Sequence, residues 1–339
     1  MKRRRPCRVP ALAAALLAGL FLLSSCGIAD VWHDTTEYLA GYFHSDDNLR
    51  KRVVVMPFTS KIPGLAKRAH VLGEILRKRV AASGRYTMGD PAKLRAAEKQ
   101  VAPAVRNPLE RMIMAARRLG LNTVVTGRLS DLSVAYDLTG IYGFRENTPF
   151  LRLEADLTVI DVASGTIMGI KSFVQRHKLD DVAAEAIKLG GKPDPKLVDK
   201  LQAKLVQPCY DWLQDTIGKQ PWAGYIFEVQ GKKAKVSVGR DTGIAPGDEL
   251  TVYAHGERIM SGAGRLIYLP GPPVAKVRIT KLMPRSAWAE ILPLPPDEQP
   301  PPPPPPPAEE GKGKKAKGEK QAKKPAPPEV KPGMLLRAY

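Results

Sequence analysis

The sequence predicts an α+β protein: an N-terminal mixed α/β sandwich domain, with helices packed on a mixed sheet, then a small all-β barrel-like domain. Three observations carry this expectation. β-branched runs and amphipathic helical stretches follow one another through residues 52–217. Phe150 to Val162 alternates apolar and polar side chains, the period of an antiparallel strand with one buried face. After Trp222 helical spacing gives way to short strands punctuated by glycines, as in a small barrel or sandwich.

The first domain opens on Arg52-Val53-Val54-Val55-Met56-Pro57, a β-branched run stopped by proline and therefore a buried strand. A helix is predicted from Ala66 to Ser83, because Ala69, Leu72, Leu76 and Val80 share one face and Gly84 follows as a C-terminal glycine. Tyr86-Thr87-Met88 is a second short strand. Asn107-Pro108-Leu109-Glu110 is a helix start, with Asn at the N-cap, Pro at the first turn and Glu110 reaching back. Leu109, Met112, Ile113, Ala116 and Leu119 make its apolar stripe, and Gly120 ends it. Strands are predicted over Asn122–Ala135, Phe150–Val162 and Thr166–Gln175, the last two joined at Ala163-Ser164-Gly165. Asp194-Pro195 starts a helix running to Ile217, with Val198, Leu201, Leu205, Cys209 and Trp212 on one stripe. Pro208 either kinks or restarts it. Cys209 on that stripe is expected to be a buried, unreactive thiol.

In the second domain, Tyr225–Val229 and Ala234–Val238 form a hairpin turning at Gly231-Lys232. Gly239, Gly243 and Gly247 are expected to permit tight turns. Lys276–Thr280 and Ala287–Ile291 are further strands, and Met334–Ala338 is the last. Residues 293–330 interrupt the final pair. Pro300–Pro307 is an unbroken proline run, expected as stiff polyproline II, and Gly311–Lys324 is too lysine-rich to bury a core.

The N-terminus explains one of the three cysteines. Lys2, Arg3, Arg4 and Arg5 precede an apolar stretch from Ala11 to Leu23, then Ser24, Ser25 and Cys26. A basic start, a short apolar core and small residues before a cut describe an export signal. The run is shorter than the roughly 18–20 residues of a spanning helix. Leu23-Ser24-Ser25-Cys26 resembles the lipobox of bacterial lipoproteins. That resemblance implies that Cys26 is acylated, and Gly27 in place of Asp implies sorting to the outer membrane. The expected organisation is a signal peptide at 1–25, a lipidated tether at 26–50, the α/β domain at 51–220 and the β domain at 221–339. Removing Lys2, Arg3, Arg4, Arg5 and Arg8 takes the formal +19 to about +14. Such charge would suit nucleic acid, but export excludes it. Lipopolysaccharide phosphates, anionic lipid and peptidoglycan carboxylates remain as anionic surroundings, and solubility alone also accounts for the charge. With Cys7 removed and Cys26 acylated, Cys209 has no disulfide partner within the chain.

Residues 50–190 resemble a periplasmic superfamily through "LGLNTVVTGRLSDL" and "LRLEADLTVIDVASGTIMGIKSF". The members are the curli secretion lipoprotein, flagellar assembly protein T and the lipoproteins that activate penicillin-binding proteins. Residues 225–337 resemble the C-terminal domain of flagellar assembly protein T through "AKVSVG", "GIAPGDELTVY", "VAKVRIT", "SAWAEI" and "VKPGMLLR".

Catalytic signatures are not found in the sequence. His33, His44, His70, His177 and His255 lack metal-ligand spacing, and no serine sits in a nucleophile elbow. Gly262-Ala263-Gly264 lacks the rest of a dinucleotide fingerprint, and "GKGKKAKG" lacks that of a phosphate loop. Glu154 and Asp156 are read as a solvated sheet face. The expectation is a non-enzyme without cofactor, metal or catalytic residues, anchored on the periplasmic face of the outer membrane. Its partners are envelope proteins, with peptidoglycan and a ring of its own copies also considered. The resemblances imply first a scaffold of the flagellar outer ring, then an activator of peptidoglycan synthases or a curli-type channel subunit, with a wall hydrolase as the enzyme alternative. Residues 134–149 and 173–192, where the curli channel carries its membrane hairpins, do not read as spanning strands. The first is too short for two such strands, and the second reads as a short helix capped by Asp181 with Val182, Ala186 and Leu189 spaced for one face.

Overall fold

In the computed structural model, residues 49–62, 64–261, 266–295, 298 and 329–338 are described. The readings at Cys26, His33, His44, Gly262-Ala263-Gly264 and most of the proline- and lysine-rich insert lie outside those residues.

The first half builds a mixed sheet between helices. Its strands are β1 (Arg52–Val55), β2 (Thr59–Ser60), β3 (Thr87–Met88), β4 (Thr123–Thr139), β5 (Glu146–Asp161) and β6 (Ile167–Lys178). The order is β3-β1-β4-β5-β6, with β2 paired to β4. β1 runs parallel to β3 and β4, whereas β4, β5 and β6 are antiparallel neighbours. One face buries Leu151, Leu153, Ala155, Leu157 and Val159 of β5 against α1 (Ala66–Ala82) and α5 (Pro195–Gly218). On the other face, α2 (Pro91–Lys99) and α3 (Pro108–Arg118) cover Val54, Val124 and Ile160. The predicted sandwich and its strand alternation are therefore present. Cys209 is 1% exposed, and burial pushes its thiol up to about 12.

Several local readings change. α2 is an addition to the predicted elements, although Asp90 accepts from the Ala92 amide and Pro91 opens the helix. Its interior buries only Leu94, so no apolar stripe announces it. Asn107 caps α3 as expected, but Glu110 accepts from Tyr268 Oη at 3.3 Å. Helix α5 runs unbroken through Pro208. In α4 (Asp181–Lys188) the cap is Asp180, which accepts from the Ala183 amide, and Asp181 lies in the first turn. Val182 and Leu189 are each 81% exposed, and Ala184 is the buried residue. Val182, Ala186 and Leu189 do share a face, and it is the exposed one. Residues 134–149 form the end of one long hairpin, because β4 and β5 stay paired as far as Thr139 and Glu146.

The second half is a closed barrel of β10-β11-β8-β7-β12-β9. Its strands are β7 (Gly224–Gln230), β8 (Lys233–Val236), β9 (Glu249–Met260), β10 (Leu266–Leu282), β11 (Ala287–Leu292) and β12 (Leu335–Arg337). The last strand is short, yet it pairs with β7 on one side and β9 on the other and so closes the barrel. Val236, Val252, Val277, Ala289 and Leu336 fill the interior. Gly243 and Gly247 take left-handed backbone, as tight turns require. Gly239 does not: its φ is −154°, and glycine is needed there because a Cβ would lie 2.6 Å from the Ser286 amide nitrogen.

Candidate functional site: a welded junction and an open sheet end

Arg52 sits in a run of valines and is 1% exposed. Its guanidinium donates to both carboxylate oxygens of Asp241, at 2.7 and 2.9 Å, to the Arg285 carbonyl at 2.9 Å and to the Ser237 carbonyl. β1 of the sheet is thereby joined to the turn between β8 and β9 of the barrel. Bidentate pairing with added carbonyl acceptors is the geometry that repays burial of a guanidinium. The network continues through polar groups. The Arg52 amide donates to Asn122 Oδ1 at 2.8 Å, Asn122 Nδ2 to the Ala223 carbonyl at 2.7 Å, and Gln220 Nε2 to the Asn122 carbonyl at 2.8 Å. Gly120, at φ +65°, has no room for a Cβ, which would meet Ser237 Cβ at 2.7 Å.

A second weld comes from the β9–β10 hairpin. The Tyr268 amide donates to the Ser164 carbonyl at 2.8 Å, and its ring lies 3.9 Å under the Arg117 guanidinium. Arg117 also donates to the carbonyls of Val162 and Ala163 at 2.9 and 2.7 Å. These contacts make the junction a structural device: the groups named above are spent on each other, while the buried Tyr225 hydroxyl beside them has no hydrogen-bond partner among the described residues.

The strand that leaves the Ser164 turn, β6, is different along its length. β6 is a strand of 12 residues that, among the described residues, pairs with β5 on one side and forms an edge on the other. Lys171, Ser172, Arg176 and Lys178 on it are exposed. Edge strands offer unpaired backbone groups to an extended partner, and charged side chains keep that pairing selective. The uncovered sheet face beside it carries paired charges. Arg128 meets Asp156 at 2.8 Å, Ser172 donates to Asp156 at 2.5 Å, and Arg152 lies against Glu154 and Asp131. Burial pushes Asp156 up, but hydrogen bonds from Ser172, Arg128 and Ser130 outweigh it and leave the carboxyl below its ordinary value. A carboxylate held ionised in this way is unsuited to act as a general acid near neutral pH. Glu154 and Asp156 thus line a solvated face, as their alternation predicts.

Beyond the edge, the β4–β5 hairpin ends in a turn whose side chains touch little. Ile141, Tyr142 and Phe144 are 81, 89 and 86% exposed. The histidines are dispersed: His70 is exposed on α1, His177 lies on β6 and His255 on β9. Among the described residues no three of His, Cys, Asp and Glu form a group able to hold a metal ion. An open cleft of about 600 Å³ between α1 and α2 is lined by His70, Glu74, Arg95 and Lys99, and a hydrogen bond from Arg77 holds Glu74 below its usual range.

No protein-family model and no curated protein matches the chain. Solved structures similar to part of it include the C-terminal domain of LpoB from Salmonella enterica, at 16% identity and a TM-score of 0.27, covering 41% of this chain and 92% of that one. A hypothetical protein of Chlamydia trachomatis aligns at 12% identity and a TM-score of 0.32, covering 48% and 98%. A lipoprotein of Neisseria meningitidis aligns at 14% and 0.27, covering 49% and 99%. Likenesses this partial leave the architecture to rest on the topology described above.

Proposed function

We propose that the protein is a lipid-anchored envelope lipoprotein whose folded body binds other envelope proteins, and that it activates peptidoglycan synthases. The observation that carries the binding role is the contrast in polar groups. At the junction Arg52, Asn122, Gln220 and Arg117 are bonded within the chain, whereas β6, among the described residues, leaves one edge of 12 residues unpaired on a body held as one unit. The reading is of a non-enzymatic module: the charged pair that most resembles chemistry, Glu154 and Asp156, is tied to arginines.

The choice of synthase activator over flagellar ring rests on the insert. Leu294 is 8% exposed, Glu298 still pairs with Lys276 of β10 at 2.6 Å, and the chain is described again from Glu329, just before the closing strand. The proline run and the lysine-rich stretch lie between these two points in the sequence. Such a composition suits an arm that must pass an anionic peptidoglycan mesh. Cys26 supplies the anchor and Gly27 the outer-membrane address. Affinity purification of the intact chain from solubilised envelopes tests this reading. Recovery with a penicillin-binding protein is expected; recovery with flagellar basal bodies instead would return the ring scaffold to first place.

A further inference from the structure

We infer that the tip of the β4–β5 hairpin is a second membrane contact, seated at the headgroup–acyl boundary of an anionic lipid leaflet. The strands remain paired to Thr139 and Glu146, and the Phe144 amide closes the turn on the Ile141 carbonyl at 2.9 Å. Gly140 and Gly143 take φ of +116° and +93°, values other residues rarely adopt. A turn fixed in this way displays its side chains and cannot fold them back. Leu138, Ile141, Tyr142 and Phe144 are 64, 81, 89 and 86% exposed. This concentration of large apolar surface in one place marks an interaction site.

Shape and length select the occupant. From Leu138 to the turn the ribbon extends about 10 Å at the usual strand rise, with Leu138 facing Asn147 and Thr139 facing the exposed Glu146 across the pair, so the apolar side chains gather at the turn itself. A spanning strand needs roughly 9–11 residues, while an interfacial element sinks about 5–10 Å. The tip fits the second figure. It is also convex and two strands wide, so a fluid surface can accept it without a matching groove. Tyrosine and phenylalanine are suited to the interface. Charges stand directly behind the apolar end: Arg145 lies 5.9 Å from the Tyr142 ring, Lys188 is 4.1 Å from that of Tyr136, and Arg176 pairs with Asp137. The mature chain's charge of about +14 draws the body toward anionic lipid. If Cys26 is anchored as proposed above, residues 27–48 provide at most roughly 80 Å of chain, so the body stays near the leaflet.

The test removes the anchor, so that failure of the anchoring reading and failure of this one are separable. The mature chain carrying Cys26→Ser is floated with vesicles of phosphatidylethanolamine and phosphatidylglycerol. Partition of this protein with the vesicles is expected, falling by about tenfold or more when Ile141, Tyr142 and Phe144 are all changed to serine. The triple variant should keep its circular dichroism and melting temperature, because these side chains pack against little. In a second variant, Phe144→Trp, the added emission should shift to the blue on vesicle binding and be quenched by brominated lipid. Equal partition of the triple-serine protein, no partition of either, or unshifted emission from the Phe144→Trp variant would overturn the inference. Loss of a protein crosslink in the triple variant with vesicle binding unchanged would also overturn it and assign the tip to a protein groove. Palmitate labelling of the unmodified chain reads the Cys26 anchor independently.

Discussion

Two long hairpins of this protein differ in what their described residues touch. β9–β10 belongs to the barrel but reaches the α/β domain, where Tyr268 bonds Ser164, stacks under Arg117 and meets Glu110. β4–β5 belongs to the central sheet and ends at Ile141, Tyr142 and Phe144, all above 80% exposed. Each is a ribbon of antiparallel strands. In one, the aromatic side chain has a cation, an acceptor and a covering surface; in the other, the aromatics face solvent. The pinned hairpin spends its side chains on stability. The free one spends Asp137, Tyr136 and Thr139 on contacts within the chain but leaves Ile141, Tyr142 and Phe144 at its turn exposed.

The largest expected effect concerns the strand that holds the pinned hairpin's base. β12 lies between β7 and β9 and carries Leu336, which is fully buried. Deleting residues 333–339 opens the barrel and should cost more than about 5 kcal/mol, since one buried leucine alone is worth about 2–5. Near-ultraviolet circular dichroism should show the loss. A truncated protein that melts no lower than the full chain would mean that the barrel does not need its last strand.

Arg52→Ala should come next, at about 3–5 kcal/mol, because it strands the Asp241 carboxylate beside the junction. Urea titration gives the value. Tyr268→Ala removes a cation–π contact and a weak hydrogen bond, and about 1–3 kcal/mol is expected from lost packing and stacking. Changing the tip residues Ile141, Tyr142 and Phe144 to serine should leave stability within about 0.5 kcal/mol. A large destabilisation there would erase the distinction between the hairpins.

Cys209 sharpens the same contrast through pH. Burial raises its thiol from about 9 to about 12, so between those values the folded state holds a proton that the unfolded state has lost. The stabilisation is complete below pH 9 and is lost as pH rises toward 12. Native protein should therefore resist a thiol reagent at about pH 8, where only an exposed thiol ionises appreciably, and react only on unfolding. Prompt labelling of the native chain would contradict the burial.

What the sequence makes legible follows the range of the interactions. The alternation in β5 is local, and it correctly assigns Leu151, Leu153, Ala155, Leu157 and Val159 to the core. The barrel strands after Trp222 are legible for the same reason, and so is Cys209 on its helical stripe. Arg52 is not: its partner Asp241 lies 189 residues away, and nothing near Val53 announces a buried guanidinium. α2 escapes notice because one buried leucine does not make a stripe, although Asp90-Pro91 is a sound start signal. The cap of α4 is placed one residue late because either of two adjacent aspartates could serve, and spacing alone does not say that the face of Val182 and Leu189 is exposed. The hairpin tip is dismissed when only spanning strands are considered. A two-stranded ribbon with an apolar end is too short to cross a membrane and long enough to touch one.

The central claim is that partners meet the open end of the sheet while the welded end holds the fold. Site-specific photocrosslinking in living cells tests it most directly, with the photoreactive residue placed at Lys171 on β6 or at Tyr268 on the pinned hairpin. The account predicts an adduct with a penicillin-binding protein from position 171 and only intramolecular products from position 268. Intermolecular adducts of equal yield from both positions, or adducts from position 171 with flagellar ring components alone, would contradict it.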